Sequence, residues 1–409
     1  MRKSRRRIAF SLVVAVTVFA TVAWVGDTGA RRRDPPYARA LQPKLEALVN
    51  EMRVPGAVVV VRSKELGDWT AKFGNRALRG KQPVGIDDHV RIGSNTKTMT
   101  GTVILQLVQE GKLRLDDPVS KYRPDVPNGE NITIEQLLTM RSGLYNYGDT
   151  LELNQALDTT PERVWAPQEL LALAFANPPH FPPGQGYHYS NTNTVLLGLV
   201  IEQLTGDPLE TAFQRRIFGR LGLENTALPA HRSNALPDPH PRGYMFSTNV
   251  DTLDSQVLSA GQQVEATAGI LNPTDVTDVN PSWGWAAGGV ISNVDDLTRY
   301  VRALVGGGLL GKKLQRQRLD SVQPVDPDNP TGPGYGLALA KVGPMLGHTG
   351  ELPGFQSFMG YDAKRDIIVI VWTTLAAAPD GRAPASQMAK EIFGELYPTP
   401  PPTPEDENK

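Results

Sequence analysis

The stretch RIGSNTKTMT (Arg91–Thr100) places a serine and a lysine three residues apart at the predicted start of a helix. Residue i+3 of a helix returns to the same face, so we expect Lys97 to point at the oxygen of Ser94. Burial would lower the pKa of this lysine enough to make it a base for the serine hydroxyl. The ordinary alternative is a helix-capping serine followed by a solvated lysine, because about one Ser-x-x-Lys match arises by chance in a chain of this length.

Two further polar segments lie far along the chain. FPPGQGYHYSNTNT (Phe181–Thr194) carries a phenol at Tyr189 and an amide at Asn191. A phenol can hydrogen-bond a lysine and shuttle a proton, and an amide can hold a substrate carbonyl. GHTGELPGF (Gly347–Phe355) opens with His-Thr-Gly, which we expect at the edge of a strand, where glycine lets a ligand lie close to the backbone. Taken alone, each is a polar loop or an exposed strand end.

Composition excludes several kinds of chemistry. The 409 residues are 40% hydrophobic and 21% charged, an ordinary globular balance. A formal net charge of -1 gives no reason to expect nucleic acid. The absence of cysteine excludes disulfides, thiolate catalysis and thiolate metal sites. We predict no metal site and no cofactor, because no ligand spacing links the remaining histidines, which are His89, His180, His188, His231 and His240.

The N-terminus predicts export. The basic heptapeptide MRKSRRR precedes an uncharged stretch from Ile8 to Gly26, which approaches the roughly 20 residues needed to span a bilayer. We therefore expect residues 1–34 to be a signal peptide or a membrane anchor. The protein would lie on the extracellular or cell-wall face, either secreted or tethered to the membrane by this helix.

Strand patterns occur at both ends of the chain and helical patterns between them. The predicted strands are Gly56–Val61, Trp69–Phe73, Gln356–Tyr361 and Asp366–Thr374. The predicted helices are Tyr37–Arg53, Thr98–Gln109, Thr133–Met140, Gln168–Ala176, Thr194–Thr205, Val294–Val305 and Ser386–Leu396. Asn234–Asn280 is polar and turn-rich, and we expect it to be irregular.

These patterns predict a mixed α/β fold. An antiparallel sheet would be built from both chain ends, flanked by helices and interrupted by an inserted, mainly helical domain. We expect the α/β part at about 37–90 and 285–397 and the helical part at about 91–284, both within a catalytic domain of residues 35–397. Residues 398–409 form a proline-rich acidic tail, which we expect to be disordered. Chemistry is expected in the cleft between the two parts.

Together, the three polar segments resemble the Ser-x-x-Lys, Ser-Asp-Asn and Lys-Thr-Gly set of serine β-lactamases and penicillin-binding proteins. Tyr-x-Asn at Tyr189 is similar to the branch of class C β-lactamases and D-alanyl-D-alanine carboxypeptidases. His-Thr-Gly at His348 is similar to the carboxypeptidases. Family-like segments, which cover most of Val54 to Ala376, also include ITIEQLLTMRSGLYNY, NPSWGWAAGGVISNVDDL and GPGYGLALA. The resemblance implies a serine β-lactamase-like fold.

The resemblance also implies roles for individual residues. Ser94 would be the acylated nucleophile and Lys97 its proton partner, while Tyr189 would relay protons to the leaving group. His348 would support this relay and bias the site toward anions. The substrate-binding residues would be Asn191, Thr349, Gly350, Glu351 and Trp283, with the backbone N–H groups of Ser94 and Glu351 forming the oxyanion hole.

One departure from the family concerns the substrate's carboxylate. Glu351 and Ala340 stand where the carboxypeptidases have a threonine and an arginine that hold the terminal carboxylate of D-Ala-D-Ala. Two carboxylates repel each other unless one is screened or protonated. Either the neighbouring Lys341 compensates, or the substrate has no free carboxylate at that end.

We therefore expect an exported serine hydrolase that acts on D-alanyl peptides of the cell wall or on related amides and esters, like a D-alanyl-D-alanine carboxypeptidase or a class C β-lactamase. An esterase of the same superfamily is the first alternative. Others are a β-lactam or peptidoglycan sensor that stays acylated and a purely structural wall-binding protein. The expected partners are a cell-wall peptide or a small amide or ester, and the membrane if the N-terminal segment is retained.

Overall fold

The computed structural model describes residues 34–230 and 232–398. The predicted signal or anchor segment up to residue 33, His231 and the tail from residue 399 lie outside these described residues. Within them, no helix combines the length and the hydrophobicity needed to cross a bilayer.

The strands are β1 (Gly56–Ser63), β2 (Trp69–Gly74), β3 (Val90–Arg91), β4 (Tyr244–Met245), β5 (Thr274–Asp275), β6 (Ile291–Ser292), β7 (Gln323–Pro324), β8 (Gly334–Tyr335), β9 (Ala340–Val342), β10 (Met345–Leu352), β11 (Phe355–Asp362) and β12 (Ile367–Thr373). The α-helices are α1 (Pro36–Glu51), α2 (Thr96–Gln109), α3 (Ile134–Leu138), α4 (Leu151–Thr159), α5 (Pro167–Phe175), α6 (Asn191–Thr205), α7 (Leu209–Phe213), α8 (Gly219–Leu221), α9 (Asp251–Asp254), α10 (Ala260–Thr267), α11 (Trp285–Gly288), α12 (Val294–Gly306), α13 (Lys312–Asp320) and α14 (Pro384–Leu396).

The main sheet joins both ends of the chain. Its order is β2-β1-β12-β11-β10-β9-β8-β7, and all neighbouring strands are antiparallel. The N-terminal strand β1 pairs directly with β12, for example Val59 with Val371. The predicted fold class is therefore confirmed: the sheet is antiparallel, built from both chain ends, and flanked by helices.

Both faces of the central strands are buried, which explains the uninterrupted apolar run in β1. Successive side chains of a strand point to opposite faces. Val58 and Val60 accordingly belong to the core that contains α2 and α6, while Val59 and Val61 belong to the core formed with α1 and α14. The sheet is thus a layer between two terminal helices and the helices of the middle of the chain.

Residues 234–280 are more ordered than expected. They contain the short helices α9 and α10 and the two-stranded pairing of β4 with β5. The buried side chain of Arg91 donates to the carbonyl oxygens of Asn234 (2.8 Å) and Thr277 (3.0 Å). These bonds attach two distant points of the segment to β3, because an arginine buried without a carboxylate must satisfy its donors on carbonyl oxygens.

Helices α2 and α6 begin two and three residues earlier than predicted, and both differences bring a site residue to a helix terminus. Helix α2 begins at Thr96, directly after a 3₁₀ turn at Gly93–Asn95. Helix α6 begins at Asn191 instead of Thr194. The N-cap residues, Asn95 and Ser190, are of types that favour helix N-termini, but neither side chain makes a capping hydrogen bond.

Candidate active site

Ser94 lies in the 3₁₀ turn that leads into α2, and Lys97 lies in the first turn of that helix. Lys97 Nζ is 2.9 Å from Ser94 Oγ. The lysine side chain is buried at 1% relative exposure, whereas Ser94 is partly exposed. The expected i+3 contact is therefore present, and the hydroxyl is open to a substrate while the amine is not.

The surroundings of Lys97 suit a neutral amine. Burial lowers the pKa of Lys97 well below its ordinary value. Nζ also donates to Asn191 Oδ1 (2.7 Å) and to the carbonyl oxygen of Ala287 (2.8 Å). A neutral amine has two N–H donors and one lone pair, so these two acceptors leave the lone pair for the hydroxyl of Ser94. The arrangement can remove the serine proton.

Tyr189 completes the set of groups around the nucleophile. Its phenol is hydrogen-bonded to the Ser94 side chain, and Lys97 Nζ lies 4.8 Å from the ring centroid. Part of the residue remains accessible, yet burial of the phenol raises the pKa of Tyr189 above its usual range, an effect that the bond to Ser94 opposes. The phenol is therefore protonated at neutral pH and can donate a proton next to Ser94 Oγ.

Asn191 is the first residue of α6, so its side chain projects from the helix terminus toward Lys97. Its backbone N–H donates to Asn146 Oδ1 at 3.0 Å. Asn146 thus fixes where α6 begins and with it the position of the amide. Asn146 is a positioning residue that the sequence argument missed, although it lies in the quoted segment ITIEQLLTMRSGLYNY.

Strand β10 presents an open edge beside the nucleophile. Its ladder with β9 ends at Gly347, while its ladder with β11 continues to Leu352. Thr349, which is half-buried, and Glu351 therefore lie on a part of the strand that is paired on one side only. This agrees with the strand edge expected for His-Thr-Gly.

His348 is buried and neutral. Its Nδ1 faces the carbonyl oxygen of Thr349, which can only accept, so Nδ1 carries the proton. Nε2 then accepts from the hydroxyl of Tyr335 at 3.1 Å. Burial lowers the pKa of His348 to about 3, although the hydrogen bond to the Thr349 carbonyl oxygen opposes this effect. His348 therefore does not supply the positive charge that we expected to attract anions. It contacts Tyr189 through its ring, with centroids 6.1 Å apart.

Glycine allows the nucleophile turn to lie on β10. A β-carbon on Gly93, whose φ is +53°, would lie 2.4 Å from the backbone nitrogen of Glu351. A β-carbon on Gly350 would lie 1.9 Å from the carbonyl oxygen of Ile92. The space over Gly350 is thus filled by the protein, which corrects our expectation that this glycine makes room for a ligand. Because Gly93 directly precedes Ser94, this contact places the backbone nitrogen of Glu351 beside the nucleophile turn.

Trp283 and Glu351 line a cavity of about 130 Å³ next to this site. Most of its wall is apolar, formed by Leu153, Leu157, Met245, Phe246, Trp283, Leu352, Ala376 and Ala377. Glu351 Oε1 accepts from Gln256 Nε2 at 3.0 Å, and Oε2 accepts from Gln356 Nε2 at 3.2 Å. Gln256 comes from the 234–280 segment, so that segment forms one wall of the cavity.

Lys341 does not compensate the charge of Glu351. Its Nζ donates to the carbonyl oxygens of Thr331 (3.2 Å) and Gly332 (3.5 Å). Among the described residues, the two glutamine amides are the hydrogen-bond partners of Glu351, and no basic side chain forms an ion pair with it. The explanation that Lys341 compensates the charge of Glu351 therefore has no support in the structure. Nor do the described residues contain a cluster of histidine or acidic side chains able to hold a metal ion.

Comparison with known proteins finds matches within the family that the three polar segments resemble. The beta-lactamase family model matches residues 41–391. Penicillin-binding protein 4 of Amycolatopsis lactamdurans is 26% identical over 374 residues, which cover 87% of this chain and 89% of the relative. A protein of Mycobacterium tuberculosis strain H37Rv is 28% identical over 271 residues, and the match spans 63% of that protein's length and 62% of this chain.

A solved structure gives a similar result. The D-stereospecific amidohydrolase from a Streptomyces species shares 34% sequence identity with this chain and superposes with a TM-score of 0.73. The superposition covers 88% of this chain and 99% of the amidohydrolase.

Proposed function

Because the chain belongs to the beta-lactamase family, a superfamily of serine hydrolases, amidases and penicillin-binding proteins, we propose that it hydrolyses small amides and esters of the D-aminoacyl type through an acyl-enzyme on Ser94. The observation that carries the proposal is the position of Lys97 Nζ, 2.9 Å from Ser94 Oγ and buried so that it is readily neutral. The likeness to a D-stereospecific amidohydrolase supports the choice of substrate.

Acylation follows from this geometry. Lys97 accepts the hydroxyl proton of Ser94 as Oγ bonds to the substrate carbonyl carbon, and the carbonyl electron pair moves onto oxygen. The backbone N–H groups of Ser94 and Glu351 stabilise that oxyanion. Tyr189 donates its proton to the leaving nitrogen or oxygen as the bond to carbon breaks, and it regains a proton from the Lys97 ammonium.

Deacylation uses the same groups in reverse. Water attacks the acyl carbon and loses a proton to the Tyr189–Lys97 pair, and Ser94 Oγ leaves with a proton. Asn191 holds Lys97 through its Oδ1, which leaves the amide N–H₂ to hold a substrate carbonyl. Carboxypeptidase and β-lactamase activities use the same acylation and deacylation steps on different amide bonds.

The test is a substrate panel with mass-spectrometric trapping of the acylated peptide. We expect the full-length protein to hydrolyse D-aminoacyl amides and p-nitrophenyl esters, and a slow substrate to leave its acyl group on the peptide containing Ser94. Ser94→Ala should remove turnover and leave the thermal unfolding transition in place. Turnover that survives in Ser94→Ala sinks the proposal.

The alternatives give different results in the same panel. Rapid turnover of esters without any amide hydrolysis identifies an esterase. A penicillin adduct that persists for hours, with no product from any substrate, identifies a sensor. Release of D-alanine from D-Ala-D-Ala peptides identifies a carboxypeptidase.

We also propose that the protein acts outside the cytoplasm. The support is the basic heptapeptide followed by the uncharged segment from Ile8 to Gly26. Protease digestion of intact cells tests it: an exported protein is degraded, while a cytoplasmic marker protein survives.

A further inference from the structure

The carboxylate of Glu351 is held at the wall of the 130 Å³ cavity by two amides. Gln256 and Gln356 each donate to a different carboxylate oxygen, at 3.0 and 3.2 Å. Gln356 is buried and its Oε1 has no hydrogen-bond partner, so contact with Glu351 orients this amide with its N–H₂ toward the carboxylate. An ionised carboxylate only accepts hydrogen bonds, and two N–H donors therefore suit the charged form.

No described basic group neutralises this charge inside the site. Lys341 is bonded to carbonyl oxygens elsewhere, and His348 is neutral. Lys97 is the remaining cation, and it must be neutral to act as the base. Burial raises the pKa of Glu351. Because more than a third of the residue is solvent-exposed, this effect is smaller than for an enclosed carboxyl, and the two amides oppose it.

The carboxylate of Glu351 belongs to the same residue as one of the backbone N–H groups assigned to the oxyanion hole. Glu351 contributes both the backbone N–H assigned to the oxyanion hole and the side chain in the cavity wall. In an α-amino acid amide or ester, the ammonium group is two bonds from the carbonyl carbon, and the side chain branches from the same α-carbon. A carbonyl held by the N–H of Glu351 therefore places an ammonium within reach of its carboxylate and a side chain at the apolar wall around Trp283.

We propose that Glu351 is a specificity-determining residue that binds the α-ammonium group of an amino-acid amide or ester whose apolar side chain fills the adjoining cavity. The same carboxylate disfavours substrates with a free carboxylate at this position. This inference rests on the proposed acyl-enzyme chemistry at Ser94. It also explains why Glu351 and Ala340 stand where the carboxypeptidases have their carboxylate-binding threonine and arginine.

The experiment compares two p-nitrophenyl esters that differ in one group: the ester of D-phenylalanine, which carries the ammonium, and the ester of 3-phenylpropanoic acid, which does not. The ratio of kcat/KM for the ammonium ester to kcat/KM for the uncharged ester is measured for the full-length wild-type protein and for Glu351→Gln. Dividing one ratio by the other cancels the greater intrinsic reactivity of the ammonium ester. We expect Glu351→Gln to lower the ratio tenfold or more.

The matched control is Glu46→Gln, which removes an exposed carboxylate from α1 on the far side of the sheet and should leave the ratio unchanged. Equal ratios in wild type and Glu351→Gln would overturn the role of Glu351. Acylation of Ser94 by the uncharged ester, followed by mass spectrometry in both proteins, separates the two proposals. If Ser94 is acylated and the ratios are equal, only this inference fails; if Ser94 is never acylated, the proposed function fails as well.

Discussion

The carbonyl oxygen of Ile92 lies directly against Gly350, so that a β-carbon on this glycine would be 1.9 Å from the oxygen. The contact is between two backbones, one leading into the nucleophile turn and the other belonging to β10. It is reinforced by Asn95, whose Nδ2 donates to the Ile92 oxygen (3.0 Å) and to Ser357 Oγ (2.7 Å). The position of Ser94 therefore depends on the absence of a side chain at residue 350.

Gly350→Ala should displace the nucleophile turn. The added methyl meets backbone, which cannot move aside as a flexible side chain would, and overpacking of this kind costs about 1–3 kcal/mol. We expect a lower free energy of unfolding by denaturant and a loss of kcat/KM of at least tenfold. Gly394→Ala is the control, because a β-carbon there meets nothing within 4 Å and lies in helix α14. Alanine should raise helix stability by about 0.5–1 kcal/mol. Native activity in Gly350→Ala would contradict the claim that the nucleophile turn packs directly on the backbone of residue 350.

The protonation state of Lys97 should determine the acid limb of the pH profile of kcat/KM. The neutral amine is the reactive form, so kcat/KM for an uncharged ester should rise with pH as Lys97 loses its proton. The midpoint should lie well below 10.5, because burial lowers the pKa of this amine. Lys97→Arg keeps a cation that cannot be deprotonated. We expect it to lose about 10²–10⁴ in kcat, together with this limb.

The control for that variant is Lys121→Arg, at a half-exposed lysine that is paired with Asp117. It should change neither the rate nor the profile. An unchanged acid limb in Lys97→Arg would show that another group is the base.

Tyr189 and Tyr187 form a natural pair for testing the proton relay. The Tyr189 phenol is hydrogen-bonded to Ser94, whereas Tyr187 lies over Arg141 and against the ring of Tyr335. Tyr189→Phe removes the proton donor for the leaving group, and we expect kcat for an amide to fall by about 10²–10⁴. A p-nitrophenyl ester needs less protonation of its leaving group, so its acylation rate should fall less. Similar losses in Tyr187→Phe would argue for packing, not proton transfer, as the reason.

The sheet and the three polar segments could be predicted because both depend on local patterns. The apolar run in β1, the alternation of strand and helix patterns along the chain and the i+3 spacing of Lys97 are each visible within about ten residues. The structure agrees with all three. The open edge of β10 was also predicted, from the His-Thr-Gly triplet at His348.

The remaining features depend on contacts between distant parts of the chain. Gln256 contacts Glu351 from a segment with weak secondary-structure signals, so no sequence pattern near Glu351 indicates that Gln256 is its hydrogen-bond partner. The early start of α6 depends on Asn146, which is distant in sequence. The charge of His348 could not be inferred either, because burial in the folded protein is the largest influence on its pKa.

The burial of His348, whose Nε2 accepts from Tyr335, predicts how stability changes with pH. Burial lowers the pKa of His348 from 6.5 to about 3, so between these values the unfolded chain binds a proton that the folded chain does not. The free energy of unfolding should therefore be unaffected by this group above pH 6.5 and fall progressively as pH drops toward 3. His348→Asn should reduce this slope. Tyr335→Phe leaves Nε2 buried without a donor, at a cost of about 1–3 kcal/mol at neutral pH. Urea unfolding at a series of pH values measures both effects, and a His348→Asn variant with the full wild-type slope would show that the imidazole is already charged in the folded protein.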